Sequence, residues 1–328
     1  MAIGFVYWLL RGHYLDDDST TALLYPGQGY ICPMFDGGVG NQMFQFASSY
    51  GIARSKNMNI LIAANCKLLT IFNINVVILK DVSICNSRKF QMLTEDQNAV
   101  FDEHLMAIDN ESNVRLRTYL QSFHYFDKHR SELRQQFSFR LSIQKEADLR
   151  LEHMLKTRYI ICKNRFNFVS NVWQRKENRV CFNTNNNKTM TLVGIHVRRG
   201  DMLRSPHPQM GFQTASKEYL KRAVDWYSNK YKNIIFILAS NGMNWSKKNI
   251  PPNVSVLYLE GNSLPVDMAI LALCDHFIST VGTLGWWIAW LAGGNVTYYK
   301  WPARENSIFR EAFDAEYTHF FYPNWVGL

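Results

Sequence analysis

The chain has 328 residues, 47% of them hydrophobic and 14% aromatic, enough apolar material for two domains with sizeable cores and too much for a disordered protein. Lys and Arg number 36 against 27 Asp and Glu, and the formal charge of +9 points to an acidic partner. The cations are dispersed and no nucleic-acid-binding signature accompanies them, so a nucleotide or another anionic substrate fits and nucleic acid is not expected as a partner.

In chain order, residues 2–10 are apolar but stop at Arg11, short of the about 20 residues that a membrane span needs. The segment reads as the remnant of a longer anchor, as a secretory core without its basic flank, or as an apolar strip docked on the fold. Asp16-Asp17-Asp18 is the only D-x-D match; it sits in a polar segment and reads as solvated charge, not as a metal site. Residues 30–35 predict a short strand, Asp36-Gly37-Gly38-Val39-Gly40 a glycine-rich turn, and a helix follows from Asn41 with Met43, Phe44, Ala47 and Tyr50 as its apolar stripe. A strand at 59–63 completes a β-loop-α-β unit. The turn suits two uses, a phosphate cradle of backbone N–H groups or a tight turn for packing, and it matches neither the Walker nor the dinucleotide fingerprint.

The middle of the chain is less regular, with helices predicted at 128–137 and 147–156. The polar, asparagine-rich run 183–188 is the expected domain boundary. It divides the chain into a segment 1–29, an amino-terminal α/β domain 30–189 and a carboxyl-terminal Rossmann-like domain 190–328. Six cysteines, Cys32, Cys66, Cys85, Cys162, Cys181 and Cys274, include no C-x-x-C, and their pairing is unreadable. Glycosylation triplets begin at Asn110, Asn187, Asn244, Asn253 and Asn295.

From residue 190 onward strands and helices alternate as a parallel sheet requires: strands at 190–197, 233–239, 254–259, 276–280 and 295–299, helices at 216–231, 265–275 and 284–292. The strand 190–197 ends abruptly in His196, Arg198, Arg199 and Asp201, delivering two guanidiniums to the carboxyl edge where open α/β sheets bind ligands. A diphosphate suits that pair; an Arg–Asp pair internal to the motif is the plainer alternative. Arg199-Gly200-Asp201 is also an adhesion triplet, but the exit of a buried strand is the wrong place for one. A second strand-to-helix turn, Ser279-Thr280-Val281-Gly282-Thr283-Leu284-Gly285, offers N–H groups to a phosphate, or only an N-cap by Thr283. Asp267, beyond Pro265 at a helix start, balances the helix dipole or accepts from a guanine. Trp286, Trp287 and Trp290 are expected in the core.

Taken in order, Gly37-Gly38-Val39-Gly40-Asn41-Gln42-Met43-Phe44-Gln45-Phe46-Ala47, His196-Val197-Arg198-Arg199-Gly200-Asp201, Ala239-Ser240-Asn241-Gly242-Met243, Gly282-Thr283-Leu284-Gly285-Trp286-Trp287 and Leu291-Ala292-Gly293-Gly294 resemble the animal galactoside α-1,2-fucosyltransferases. The resemblance covers residues 31–328 and is weakest over 64–189. Met202 departs from it, standing where an aromatic residue is common. It implies an α/β, GT-B-like fold, two Rossmann-like domains facing each other across a cleft, with 30–189 as the acceptor side and 190–328 as the GDP-fucose-binding domain. It also implies transfer of L-fucose from GDP-fucose, with inversion and no metal, to the 2-hydroxyl of a terminal galactose on a glycan. A protein O-fucosyltransferase and an inactive glycan-binding protein are the alternatives. By the same resemblance Arg198 holds the β-phosphate, His196 and Asp267 address the guanosine, and Arg199 orients the motif. Gly282 and Thr283 bind phosphate, and Asn41 closes on the donor. Asp36 and Asp201 are the candidate bases. The family context places the protein in the Golgi lumen, as a type II membrane protein whose anchor is incomplete in this sequence.

Overall fold

The computed structural model describes residues 14–15, 27–164 and 179–328; the apolar segment 2–10 and Asp16-Asp17-Asp18 lie outside them. The chain forms two compact units, Met1–Phe137 and Ser138–Leu328.

In the first unit six strands, β1 (Tyr14–Leu15), β2 (Tyr30–Pro33), β3 (Asn59–Ala63), β4 (Val77–Leu79), β5 (Gln91–Leu93) and β6 (Asn113–Leu116), form one sheet in the order β1-β4-β3-β2-β6-β5. Every pairing in it is parallel. The expected glycine turn feeds the helix Val39–Lys56, which starts two residues before the predicted Asn41 because Gly38 occupies the cap position. That helix has no simple apolar stripe: Gln42, Gln45, Ser48 and Ser49 are buried along with Met43, Phe44, Phe46 and Ala47. Sequence periodicity underestimated its burial because segments on both sides cover it, including the turn Phe123–Tyr125.

The second unit holds β7 (Ile160–Asn164), β8 (Arg179–Asn183), β9 (Thr189–Val197), β10 (Ile234–Ser240), β11 (Val256–Tyr258), β12 (His276–Ser279), β13 (Val296–Tyr298) and β14 (Val326–Gly327). Its parallel path is β11-β10-β9-β12-β13-β14, with β8 antiparallel to the start of β9 and β7 antiparallel to β8. Helices Lys217–Lys230, Leu264–Ala272 and Thr283–Ala292 connect the strands, close to their predicted ranges. Trp286, Trp287 and Trp290 are buried, as expected of residues packed between a helix and a sheet.

The domain boundary is corrected by this arrangement. Residues 183–188 are not a linker but the turn from β8 into β9, closed by the Asn183 N–H on the Lys188 carbonyl at 2.9 Å. The helix Leu141–Lys156 belongs with the second unit because its buried residues Gln144, Ala147, Leu151 and Leu155 form the side that meets the helix Leu264–Ala272. Local polarity marked the hairpin turn; only the packing of that helix reveals the true division at Phe137.

Two disulfides form, Cys32–Cys85 and Cys162–Cys181, while Cys66 and Cys274 are buried and take part in neither. The second joins residues directly opposite in the β7–β8 ladder. Of the glycosylation triplets, Asn110, Asn187 and Asn253 are exposed in turns. Ser246 and Thr297, the hydroxyl positions of the other two, are buried, and the Asn295 amide is bonded to the Tyr231 hydroxyl. No helix among the described residues is long and apolar enough to cross a membrane.

Candidate active site

In the second sheet the chain steps from β9 to β10 and β11 on one side, then crosses to β12 on the other, so the winding reverses between β9 and β12. Ligands of open parallel sheets bind beyond the carboxyl ends of the strands at such a reversal. The last residues of β9 and β12 meet there: the Arg198 N–H donates to the Thr280 hydroxyl at 3.0 Å, and that hydroxyl donates to the His196 carbonyl at 3.1 Å. Gly282 caps the helix Thr283–Ala292 at φ 88° and ψ 154°, so Thr283 is the first helical residue and not the cap. A β-carbon at Gly282 would lie 2.5 Å from Arg198 Nη1 and 2.9 Å from its Cδ. Glycine is therefore required twice over, for its backbone angle and for the close passage of the guanidinium.

Arg198 is gripped from one side only. Its Nη2 and Nε donate to Asp201 Oδ2 at 2.7 and 3.2 Å, and its side chain remains 30% exposed. Asp201 in turn accepts from Asn241 Nδ2 at 2.6 Å, and with Arg198 beside it the carboxyl is held down at about 2. The same Asn241 uses its oxygen to take the N–H groups of Arg199 and Gly200 at 2.7 and 3.0 Å. One amide thus fixes three residues of the motif. Arg199 points away from this group: its Nη1 donates to Thr214 Oγ1 at 3.1 Å, and its guanidinium lies 4.1 Å from the Trp245 ring centroid, a cation–π contact. That leaves it in a packing and orienting position, and burial lowers its pKa.

His196 is buried under the same helix. A β-carbon at Gly285 would come within 3.0 Å of its Nδ1, which is buried without a hydrogen-bond partner. Burial first, then the nearby Arg198 charge, pulls its pKa down to about 4, so the ring is neutral at pH 7. Asp267 stands apart from this cluster, in the first turn of Leu264–Ala272 after the edge strand β11, where Asn262 Nδ2 donates to it at 2.8 Å. Burial raises its carboxyl above the usual range, against the pull of Asn262.

Two predicted residues belong to the first unit. Asp36 follows β2; its Oδ1 accepts the Gly37 N–H at 2.6 Å and its Oδ2 faces the Tyr119 hydroxyl at 3.4 Å. Asn41 lies in the first turn of its helix and accepts from Gln121 Nε2 at 3.3 Å. Sequence reasoning passed over Asn241, Thr280 and Tyr119 as actors. A Ser-Asn-Gly after a strand was the visible signal for the first, whereas nothing local marked Tyr119.

The sequence has counterparts among known proteins. The sequence profile of glycosyl transferase family 11 matches residues 165–328, half of the chain. The galactoside alpha-(1,2)-fucosyltransferase 2 of Bos taurus is 30% identical over 299 residues, 89% of this chain and 77% of the relative. The chain is a member of glycosyl transferase family 11. Other relatives of this family 11 protein include the galactoside 2-alpha-L-fucosyltransferase SEC1 of Bos taurus, 28% identical over 89% of this chain and 72% of its own length. Among solved structures, NodZ alpha-1,6-fucosyltransferase soaked with GDP-fucose aligns at a TM-score of 0.44 and 13% identity, covering 80% of this chain and 92% of that one.

Proposed function

We propose that this family 11 protein is an inverting galactoside 2-α-L-fucosyltransferase, moving L-fucose from GDP-fucose to the 2-hydroxyl of a terminal galactose on a glycan. The observation that carries the reading is Arg198, held from one side by Asp201 and brought against the Gly282 turn at the reversal of a parallel sheet. A partly exposed guanidinium beside a helix start suits the diphosphate of a nucleotide sugar. Asp267 stands two strands along, and at about 4.8 Å per strand the offset of about 10 Å suits the base of the same nucleotide. In this reading each unit is one α/β half of a GT-B-like fold.

The chemistry follows from charge. As the bond from fucose C1 to the β-phosphate oxygen breaks, negative charge gathers on GDP, and Arg198 with the N–H groups at Gly282 and Thr283 stabilises it without a metal ion. The acceptor O2 attacks C1 from the opposite face, and its proton passes to a base. We assign that role to Asp36, since a carboxylate held at about 2 and bonded to both Arg198 and Asn241 is a poor proton acceptor and makes Asp201 a positioning residue. His196, neutral and covered, supports the motif beneath the guanosine. Two disulfides and three exposed glycosylation triplets support a lumenal location such as the Golgi.

The test is transfer from GDP-fucose to simple β-galactosides in the presence of a chelator, with the product linkage determined by NMR. Formation of a 2-linked fucoside is expected. No transfer to any galactoside, a different linkage, or a strict metal requirement overturns the corresponding part of the reading.

A further inference from the structure

The first sheet reverses its winding too. From β2 the chain moves to β3 and β4 on one side and returns through β5 and β6 on the other, so the reversal lies between β2 and β6. At the carboxyl ends of these strands is a cavity of about 470 Å³, within the about 300–1,000 Å³ typical of small-molecule sites. Its lining includes Asp36 after β2, Glu95 and Asn98 after β5, and Arg117, Thr118 and Tyr119 after β6.

Glu95 is the unusual member. It is only 9% exposed; its Oε1 accepts the Leu120 N–H at 2.8 Å and the Thr118 hydroxyl, while its Oε2 is buried with no partner. The backbone it holds is itself uncommon, with Leu120 at φ 52°, a left-handed angle that a branched side chain rarely adopts. The grip extends to the candidate base. Gln45 Nε2 donates to the Thr118 carbonyl at 3.2 Å, Gln45 Oε1 accepts the Asp36 N–H at 3.0 Å, and Tyr119 reaches the Asp36 carboxylate. Glu95, the 118–120 turn, Gln45 and Asp36 are one connected frame.

The chemistry of the lining selects its ligand. The Asp36 carboxylate and the Arg117 guanidinium offset one another in the lining, while hydroxyl, amide, guanidinium and carboxylate groups together offer donors and acceptors to vicinal hydroxyls. We propose that this cavity binds the terminal sugar ring of the acceptor, with Arg117 and Asn98 holding its hydroxyls and Glu95 acting as the positioning residue that fixes the wall and the Asp36 backbone. The proposal rests on the galactoside transferase reading. Burial pushes the Glu95 carboxyl up to about 8, opposed by the Thr118 and Leu120 bonds and reinforced by Asp102, so it carries its proton at neutral pH. Tyr125 faces the same carboxyl, and Asp36 and Arg117 share its cavity. Ionisation above about pH 8 places an unpaired charge in the frame and loosens the site.

The experiment combines binding and kinetics. Saturation-transfer NMR with methyl β-galactoside, without donor, reads the cavity directly, and initial rates give separate KM values for acceptor and GDP-fucose. Arg117→Ala and Asn98→Ala are expected to weaken the NMR signal and to raise the acceptor KM about tenfold, with the donor KM unmoved. Glu95→Ala raises the acceptor KM at every pH. Glu95→Gln keeps an acceptor for Thr118 and Leu120 and an N–H in place of the carboxyl proton; it restores the KM and removes the rise that the wild type shows above about pH 8. Fucose transfer with an acceptor KM indifferent to Arg117, Asn98 and Glu95 overturns the cavity and leaves the transferase reading intact. Galactoside binding that depends on these residues, in a wild type that transfers no fucose, upholds the cavity and overturns the transferase reading.

Discussion

At the carboxyl edge of the second sheet a permanent cation is matched by a carboxylate held at about 2, whereas at the same edge of the first sheet a carboxyl group is pushed up to about 8 and left one bond short. Both edges lie at a reversal of strand winding, so topology alone makes two places for ligands. What separates them is charge state. Arg198 and Asp201 stay ionised because each is partly exposed and answers the other, which suits a charged diphosphate. Glu95 is buried without a cation bonded to it among the described residues, and burial favours its neutral form, which suits a neutral sugar. Equivalent positions at the edges of the two sheets thus differ in charge state through desolvation.

The sharpest way to break this contrast is Arg198→Ala. Loss of the leaving-group cation should lower kcat about 100- to 1,000-fold, and the Asp201 carboxyl should return toward its ordinary range, followed by NMR titration. A kcat within tenfold of the wild type would remove Arg198 from the chemistry. Gly282→Ala comes next: a positive φ and a β-carbon against Arg198 should cost about 1–3 kcal/mol of stability, read by denaturant unfolding, and turnover should fall with it. Asn241→Ala removes three bonds from the motif at a cost of about 1–2 kcal/mol, with kcat reduced more than donor KM is raised.

The finest probe of the comparison is the pH dependence of stability. His196 has a folded pKa of about 4 against 6.5 unfolded, so its contribution is complete above about 6.5 and is lost as pH falls toward 4. Glu95 runs the other way: its contribution is complete below 4.5 and is lost as pH rises toward 8. Unfolding free energies across pH should therefore lose the part of their acid slope between about 6.5 and 4 in His196→Gln and part of their alkaline slope in Glu95→Gln. Identical profiles in wild type and both variants would show that neither group is desolvated as its burial implies.

The two edges also differ in how far they could be read beforehand. The charged motif is contiguous, a nine-residue strand followed at once by Arg198, Arg199 and Asp201, and the ion pair forms between residues three apart. Such a feature survives in one dimension. The first edge draws on strands of three and four residues, too short to show an alternation, and its bonds join Glu95 to Thr118, and Gln45 to Thr118, across 23 and 73 residues. The pairing Cys32–Cys85, 53 residues apart, was unreadable for the same reason.

By itself the sequence determined the alternating strands and helices of the carboxyl half, the charge delivered at residue 198 and the family of the chain, because these depend on neighbours along the backbone. Only the tertiary structure decided that the units divide at Phe137, that Asp201 is held in an ion pair while Asp36 lines a cavity, and that Glu95 keeps its proton. Protonation and ligand preference are set by which groups are removed from water together, and that is a property of packing between distant segments.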